Sequence, residues 1–338
     1  MGGKRATLKD IAREAGVGSA TVDRVMNERG NVSVEVTERV LAAARSLDIR
    51  RVLPARYRRT LRVEILLARP ELPLIERMGS EFAKLSHRVD RSVIIQRTRL
   101  KTDAPELMAG HIERAQADGI VLYAQSHPAI EVAIDRAAAA GKAVVTMISD
   151  IPHSGRLAYA GIDNAAAGRT AAFLIGRMVA GGGHLVVLCN HFSFQSHEAR
   201  VGGLVASLER EPGRFTIEVV EGGDDNDLSE RRLRATLARR PDTVAIYNAG
   251  AANRGVAGAL AARGPLVFIG HELTPYTRPM LQSGVLTMVI DQNPEHQARF
   301  ALDVLMHHFG HAEIPDLRQP YESRTPITIF GPEYLPVP

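Results

Sequence analysis

Residues 7 to 27 read TLKDIAREAGVGSATVDRVMN, and this stretch constrains the N-terminal end of the chain more tightly than any other. Thr7 is placed to cap a first helix, with Asp10 three residues on reaching back in a capping box. Ile11, Ala12 and Ala15 give that helix an apolar stripe at helical spacing. Gly16 sits where a tight turn favours positive φ, which costs glycine little. Ser19 is placed to cap a second helix running to about Asn27, with Val22 and Val25 facing inward. Ala12 is small enough to let the two helices cross closely.

Ser33 then caps an expected third helix, from about Val34 to Leu47, with Val36, Val40, Ala43, Ala44 and Leu47 apolar. Three short helices around one small core form a headpiece whose second helix can enter a DNA major groove by its N-terminal end. Ser19 and Ala20 begin that helix. Being short, each offers one hydrogen bond or a thymine-methyl contact. Arg24 is long enough for a bidentate contact to guanine, the alternatives being a phosphate contact or an intrahelical ion pair. Thr7, Thr21, Asn27 and Ser33 suit phosphate hydrogen bonds, which position without specifying. For Thr7 and Ser33 a plain helix cap is the alternative, and one residue can do both.

Charge divides the chain at the same place. The whole carries 42 Lys or Arg against 38 Asp or Glu. Residues 1 to 62 hold 14 basic against 7 acidic residues, a local +7, which leaves −3 for the remainder. The run RRVLPARYRRTLR, residues 50 to 62, has six arginines and no acid. A basic head on a mildly acidic body points to a polyanion bound at one end, the alternative being a merely solvated basic surface.

At 338 residues the chain fits two or three domains, and 45% apolar residues suffice for substantial cores. Its one cysteine, Cys189, lies in the strand-like run HLVVLCN and reads as a small buried residue. A single cysteine forms no internal disulfide, which suits a reducing compartment. No apolar run reaches the roughly 18–20 residues of a membrane span, and the first residues lack a signal peptide's apolar region. A cytoplasmic protein that touches no membrane is expected.

From Leu61 onward strand-like and helix-like segments alternate. The strand-like runs are 62–68, 92–98, 119–124, 143–149, 184–190, 216–222, 243–249, 265–271 and 286–292. Helix-like segments such as PAIEVAIDRAAAAG and NPEHQARFALDVLMHHFG separate most of them. Nearly continuous apolar strands alternating with amphipathic helices predict α/β architecture, with doubly wound parallel sheets covered on both faces.

With these segments in place, the chain resembles a LacI/GalR-family transcriptional regulator. The headpiece stretch TLKDIAREAGVGSATVDRVMN carries much of the resemblance. In the body, AYAGIDNAAAGRTAA, EARVGG, YNAGAANRGVAGAL, FIGHELTP and VIDQ are similar, in their order, to ribose-type periplasmic binding proteins. The resemblance implies a helix–turn–helix headpiece (1–49), a basic hinge (50–61) and a two-lobed effector-binding domain (62–338). Lobe 1 would hold about 62–160 plus 292–322, and lobe 2 about 161–291 plus 323–338. Crossovers are expected near Gly161, Asp291 and Ser323, with ligand in the cleft.

Three features depart from the family pattern. Asp23 stands where the recognition helix usually has Ser or Thr; an acid there either pairs with Arg24 or Arg29 or points away from DNA. In the hinge, Ala55-Arg56-Tyr57-Arg58 puts Arg58 where a leucine usually wedges into the minor groove, so Arg56 and Arg58 are expected to contact DNA electrostatically. In the first lobe, Pro73-Leu74-Ile75 replaces an aromatic pair.

A polyhydroxylated ligand needs convergent donors and acceptors and a flat apolar wall. Arg200 supplies a guanidinium fork for vicinal hydroxyls or a carboxylate. Asn248 offers both donor and acceptor, Glu272 accepts from two hydroxyls, and Gln292, Ser149 and Asp150 end strand-like runs. Strand C-termini are where open α/β sheets bind ligands. For each of them a cap or surface pair is the alternative role. With no tryptophan present, stacking falls to Phe192, Phe194 or Tyr276.

No G-x-S-x-G elbow, Walker A loop or H-E-x-x-H occurs, and no cofactor, metal or catalytic residue is expected. His307 and His311, four apart, read as polar residues at a helix end. The expected function is that of a DNA-binding regulator, a repressor, acting as a homodimer or larger assembly on operator DNA under control of a sugar, polyol or sugar acid. The alternatives are an enzyme acting on a sugar or sugar phosphate, and a sugar-transport binding protein.

Overall fold

The computed structural model describes residues 7–27, 29–47, 60–314, 317, 319–323 and 325–336, the side chain of residue 45 apart. Its first element, α1 (Leu8–Glu14), begins at Thr7, whose backbone N–H and hydroxyl both donate to the Asp10 carboxylate at 2.7 Å. Gly16 turns the chain at φ +63°. The second helix, α2 (Ser19–Met26), is capped differently from expectation: Gly18 is its N-cap, and Ser19 is already its first helical residue. Helix α3 (Val34–Ser46) follows, with the Ser33 hydroxyl accepting from the Val36 N–H at 3.3 Å. Ile11, Val22 and Val40 are fully buried where the three helices meet. Val36, expected inward, is half-buried, and Thr37 takes the inward place.

Lobe 1 is built from β1 (Leu61–Ala68), α4 (Pro73–Ser86), β2 (Val93–Leu100), α5 (Pro105–Arg114), β3 (Gly119–Tyr123), α6 (Pro128–Ala139), β4 (Ala143–Met147) and β5 (Ala158–Ala160). Its sheet is parallel throughout, in the order β2-β1-β3-β4-β5. A proline opens each of α4, α5 and α6, where its missing N–H costs nothing. Strands β3 and β4 are buried along their whole length, which is why they read as unbroken apolar runs.

Lobe 2 contains α7 (Asn164–Met178), β6 (Gly183–Cys189), α8 (Gln195–Leu208), β7 (Phe215–Glu221), α9 (Asn226–Arg239), β8 (Thr243–Asn248), α10 (Asn253–Ala261), β9 (Val267–His271), α11 (Thr277–Gln282) and β10 (Met288–Asp291). Helix α12 (Pro294–His308) packs back onto α4 and β5 of lobe 1, and β11 (Thr328–Phe330) returns to the second sheet. That sheet runs β11-β10-β9-β8-β6-β7, with only β11 antiparallel among its described strands. Strands β5 and β11 are three residues each, too short to leave an apolar run, and neither was expected from the sequence. Helices α7 and α8 cross very closely. A Cβ on Gly168 would fall 2.0 Å from the Arg200 carbonyl oxygen, and one on Gly203 2.2 Å from that of Ala165.

The chain passes between the sheets three times. It leaves lobe 1 at Gly161, returns after Asp291, and leaves again near Ser323. The Ser323 hydroxyl donates to the Gly161 carbonyl at 2.5 Å and accepts from its N–H at 3.3 Å, so two of the three crossings are tied side by side. Cys189 is buried on β6, and burial pushes its thiol up to about 12. His307 lies in α12 edge-on to Tyr321, and His311 is buried beside the Ser92 hydroxyl. Among the described residues no group of three or more His, Cys, Asp or Glu could hold a metal, and no helix is long and apolar enough to cross a membrane.

Candidate functional site

Between the lobes lies a cleft of about 350 Å³, continuous with a smaller inner pocket of about 40 Å³. Leu72, Leu74, Asp224, Ala251, His271 and Glu272 line both. Its size sits at the low end of the roughly 300–1,000 Å³ usual for small-molecule sites. The backbone marks the same place. Arg69, Ile148, Asp224, Glu272 and Asn293 all have φ between +50° and +71°, and each follows closely on the end of a strand. Non-glycine residues in the left-handed region cost of order 1–3 kcal/mol and concentrate at ligand sites.

Arg200, on α8, is buried in the inner pocket. Its Nε donates to Asn164 Oδ1 and its Nη1 to the Ala249 carbonyl, each at 2.8 Å, while Nη2 has no protein partner. Glu272 follows β9. Its Oε1 accepts from Gln292 Nε2 at 2.6 Å, and its Oε2 has no hydrogen bond. Burial and the neighbouring Asp291 push its carboxyl up to about 7, against the lowering effects of Arg77, Gln292 and Arg200. Arg200, Glu272 and Gln292 therefore share one pocket.

The other three expected ligand residues are spent on protein contacts and line neither cavity. Asn248 donates to Asn253 Oδ1 at 2.8 Å and accepts from the Gly250 N–H at 3.1 Å. Asp150 accepts from Thr146, the Ile151 N–H and Arg156. The Ser149 hydroxyl accepts from the Ser196 N–H at 3.2 Å, joining the end of β4 to the start of α8 across the lobes. The sequence reading placed these side chains in the cleft because they follow strands; the structure turns them into its supports.

Several cleft residues were not singled out from sequence. Arg69 donates to the Gly223 carbonyl of lobe 2 at 3.0 Å and pairs with Glu71 at 2.9 Å. Asp224 accepts from the Ala251 N–H at 2.7 Å. His197 accepts from the Asn190 N–H through Nδ1, which leaves its Nε2 to carry the proton when neutral. Burial lowers its pKa to about 4. His271 meets the Tyr247 hydroxyl at 2.8 Å through Nε2 and leaves Nδ1 without a partner; burial and Arg200 hold it well below the usual histidine range. Arg69 and Asp224 follow strands closely, His271 ends β9 and His197 lies in the first turn of α8, so the strand-end rule reaches their neighbourhood without singling them out. Of the three aromatic candidates, Tyr276 lines the outer cleft under the Arg254 guanidinium. Phe194 is buried, stacked on Tyr123 at 5.5 Å, and Phe192 is exposed outside the cavities.

In the headpiece, Thr7, Ser19, Ala20, Arg24, Asn27 and Ser33 are exposed and Thr21 is half-buried. Asp23 pairs with Arg29 at 2.8 Å and accepts from Asn27 Nδ2 at 2.6 Å, so of the two arginines weighed for it, Arg29 is the partner. Arg56 and Arg58 lie outside the described residues.

A two-lobed α/β cleft behind a helix–turn–helix defines a class of ligand-binding regulators, and comparison with known proteins agrees. Residues 103–313 match the periplasmic binding protein domain, and residues 7–50 match the lacI family of bacterial regulatory proteins. The chain belongs to the periplasmic binding protein domain family, with a lacI-type headpiece ahead of that domain. It is similar to the sucrose operon repressor of Klebsiella pneumoniae, 33% identical over 135 residues, which are 37% of this chain and 39% of the relative. It is also similar to the HTH-type transcriptional regulator RegA of Clostridium saccharobutylicum, 29% identical over 36% of this chain and 37% of that one. The match spans about two fifths of each curated relative. Among solved structures, an ABC-transporter solute-binding protein from Burkholderia graminis in complex with D-arabinose superposes with a TM-score of 0.72 at 22% identity, over 81% of this chain and 96% of that one. GanP, a glucose-galactose binding protein from Geobacillus stearothermophilus, superposes at 0.73 and 19%, over 83% and 100%. At such identities the likeness is one of fold.

Proposed function

We propose that the protein is a transcriptional repressor whose operator affinity is set by a small polyhydroxylated ligand bound between its lobes. One observation carries the ligand half of this reading: Arg200 Nη2, a donor, and Glu272 Oε2, an acceptor, lie buried on the same cleft without a hydrogen-bond partner. A sugar hydroxyl both donates and accepts, so it satisfies either. The aliphatic Leu72, Leu74 and Ile75 supply the apolar wall. The DNA half rests on the lacI-type headpiece, with Ser19, Ala20 and Arg24 reading bases and Thr7, Thr21, Asn27 and Ser33 holding phosphates. The hinge, 50–61, with Arg56 and Arg58, contacts the backbone or minor groove. A homodimer in the cytoplasm would set two such helices in successive major grooves of a near-palindromic operator. The ligand shifts DNA binding only by favouring one arrangement of the lobes over another.

Calorimetry with D-arabinose, D-galactose, D-tagatose and sucrose, followed by titration of duplexes selected from a random pool with and without the sugar that binds, tests both halves. The expected result is saturable binding of one sugar and a changed DNA affinity in its presence. Failure of the intact protein to select any duplex would overturn the regulator reading. Turnover of a bound sugar would replace it with the enzyme reading.

A further inference from the structure

Arg77 lines neither cavity, yet it is tied to the cleft more heavily than most residues that do. It sits on α4 of lobe 1. Its Nη1 donates to Asp291 Oδ2 at 2.6 Å and to the Leu273 carbonyl at 3.0 Å, and lies 3.6 Å from Glu272 Oε2. Its Nη2 is 3.7 Å from Glu295 on α12. One guanidinium from lobe 1 thus grips the loop after β9, the end of β10 and the first turn of α12.

Asp291 and Glu272 also converge on each other through this cation. Asp291 accepts from the Leu273 N–H at 2.9 Å, immediately beyond Glu272. Glu272 is pinned from the other side by Gln292, and its backbone is held at φ +71°. Its Oε2 therefore has little freedom: it lies between the pocket and Arg77. Two carboxylates sharing a buried site without a cation cannot both ionise. A plain inter-lobe ion pair would need only Asp291; the approach of the same nitrogen to Glu272 is what sets this arrangement apart.

We propose that Arg77 is a positioning residue that sets the specificity of the cleft: it favours the ionised, acceptor-only form of the Glu272 carboxylate, aimed into the inner pocket, and so selects ligands that offer a hydroxyl there over ligands that offer a carboxylate. The proposal rests on the reading of the inner pocket as the ligand site. The groups facing Glu272 are Arg77 from α4, Arg200 from α8, Asp291 and Gln292 at the end of β10, and the uncharged His271 beside it. Glu295 lies on the far side of Arg77. Of the charged groups, Asp291 raises Glu272 and Arg77 is the first of those that lower it. Without Arg77 the carboxyl keeps its proton through neutrality and becomes a donor as well.

The test uses the full chain labelled with ¹³C at glutamate side-chain carboxyl carbons, titrated by NMR, with Glu272→Gln identifying the resonance. The wild type is expected to titrate near neutrality, Arg77→Met to raise the midpoint by a unit or more, and Arg77→Lys to restore most of it. Asp291→Asn is expected to lower the midpoint, which keeps the test open should Arg77→Met fail to fold. Equal midpoints in the wild type and the Arg77 variants, or no shift in Asp291→Asn, would overturn the proposal. Competition at pH 8 between D-arabinose and D-arabinonate reads the selectivity: Arg77→Met is expected to shift the ratio several-fold toward the acid, and an unchanged ratio would overturn that part. If neither probe binds the wild type while the titration shifts as expected, the ligand reading fails and the positioning of Glu272 by Arg77 stands.

Discussion

The Glu272 carboxylate and the Gln292 side-chain amide meet at 2.6 Å across the ends of two adjacent parallel strands. The direction of that amide is fixed. Its nitrogen donates to Glu272, and its oxygen accepts from Gln297 Nε2 at 3.2 Å. Any proton on Glu272 therefore resides on Oε2, the oxygen at the cleft, and the charge of the pocket changes there.

Glu272 should consequently contribute its own pH dependence to stability. Its folded pKa of about 7 lies above the ordinary value of 4.5, so the folded state retains a proton that the unfolded chain has released. The contribution is fully present below about 4.5 and is lost as pH rises to about 7. The span corresponds to on the order of 3 kcal/mol. Burial of the neutral His197 and His271 opposes this below about 6.5, so in thermal melts from pH 4.5 to 8 the Glu272 part is the downward component of the pH slope that Glu272→Gln removes. The same slope in that variant would assign it elsewhere.

Arg200→Ala should cost more than ligand affinity. It removes the donor to Asn164 Oδ1 and to the Ala249 carbonyl, both deep in lobe 2. Buried acceptors left unpaired cost about 1–3 kcal/mol each, so urea unfolding should reveal a loss of several kcal/mol. Glu272→Gln should weaken the sugar by on the order of 2–5 kcal/mol with little loss of fold, which calorimetry can separate from the Arg200 effect.

In the headpiece, Arg24→Ala should lose roughly 1–3 kcal/mol at a specific duplex and relax preference at one base step. Equal loss on all duplexes would make Arg24 a phosphate contact. Asp23→Ala breaks an exposed pair with Arg29 and should change headpiece stability by under about 1 kcal/mol. It should raise affinity for DNA of any sequence, because Arg29 is freed and an acid is removed. A drop in that affinity would show that Asp23 positions Arg29 for binding.

Gly203→Ala should be among the most damaging single-methyl additions in the molecule. The new carbon meets a backbone carbonyl, which cannot swing aside as a side chain can. Overpacking of this kind typically costs about 1–3 kcal/mol. Gly202→Ala, one residue away with nothing within 4 Å, serves as the control and should be near neutral in the same denaturation experiment.

The layers were legible in the sequence because β3, β4 and β6 are buried on both faces and leave unbroken apolar runs. The headpiece was legible because Thr7, Asp10 and Gly16 each have one local job. The cleft was legible only in part. Position after a strand says that Ser149, Asn248 and Glu272 all approach the same region. It does not say which side chain turns inward, because that depends on partners distant in sequence, such as Ser196 for Ser149. Arg77 lay beyond reach for the same reason: its partners are some two hundred residues away, and nothing around it in the sequence distinguishes it from a solvated helix arginine.

The crossing of α7 and α8 leaves that helix pair little room to slide. Gly168 lies against the Arg200 carbonyl and Asn164 holds the Arg200 guanidinium, so side chain and backbone are both bolted to α7. A ligand that tugs on Arg200 cannot be absorbed by a sliding helix. The pull is delivered undiminished to the start of α7, three residues from Gly161 and its clasp with Ser323. The helix pair acts as a stiff crank, and the crossover at Gly161 is where its motion would be felt.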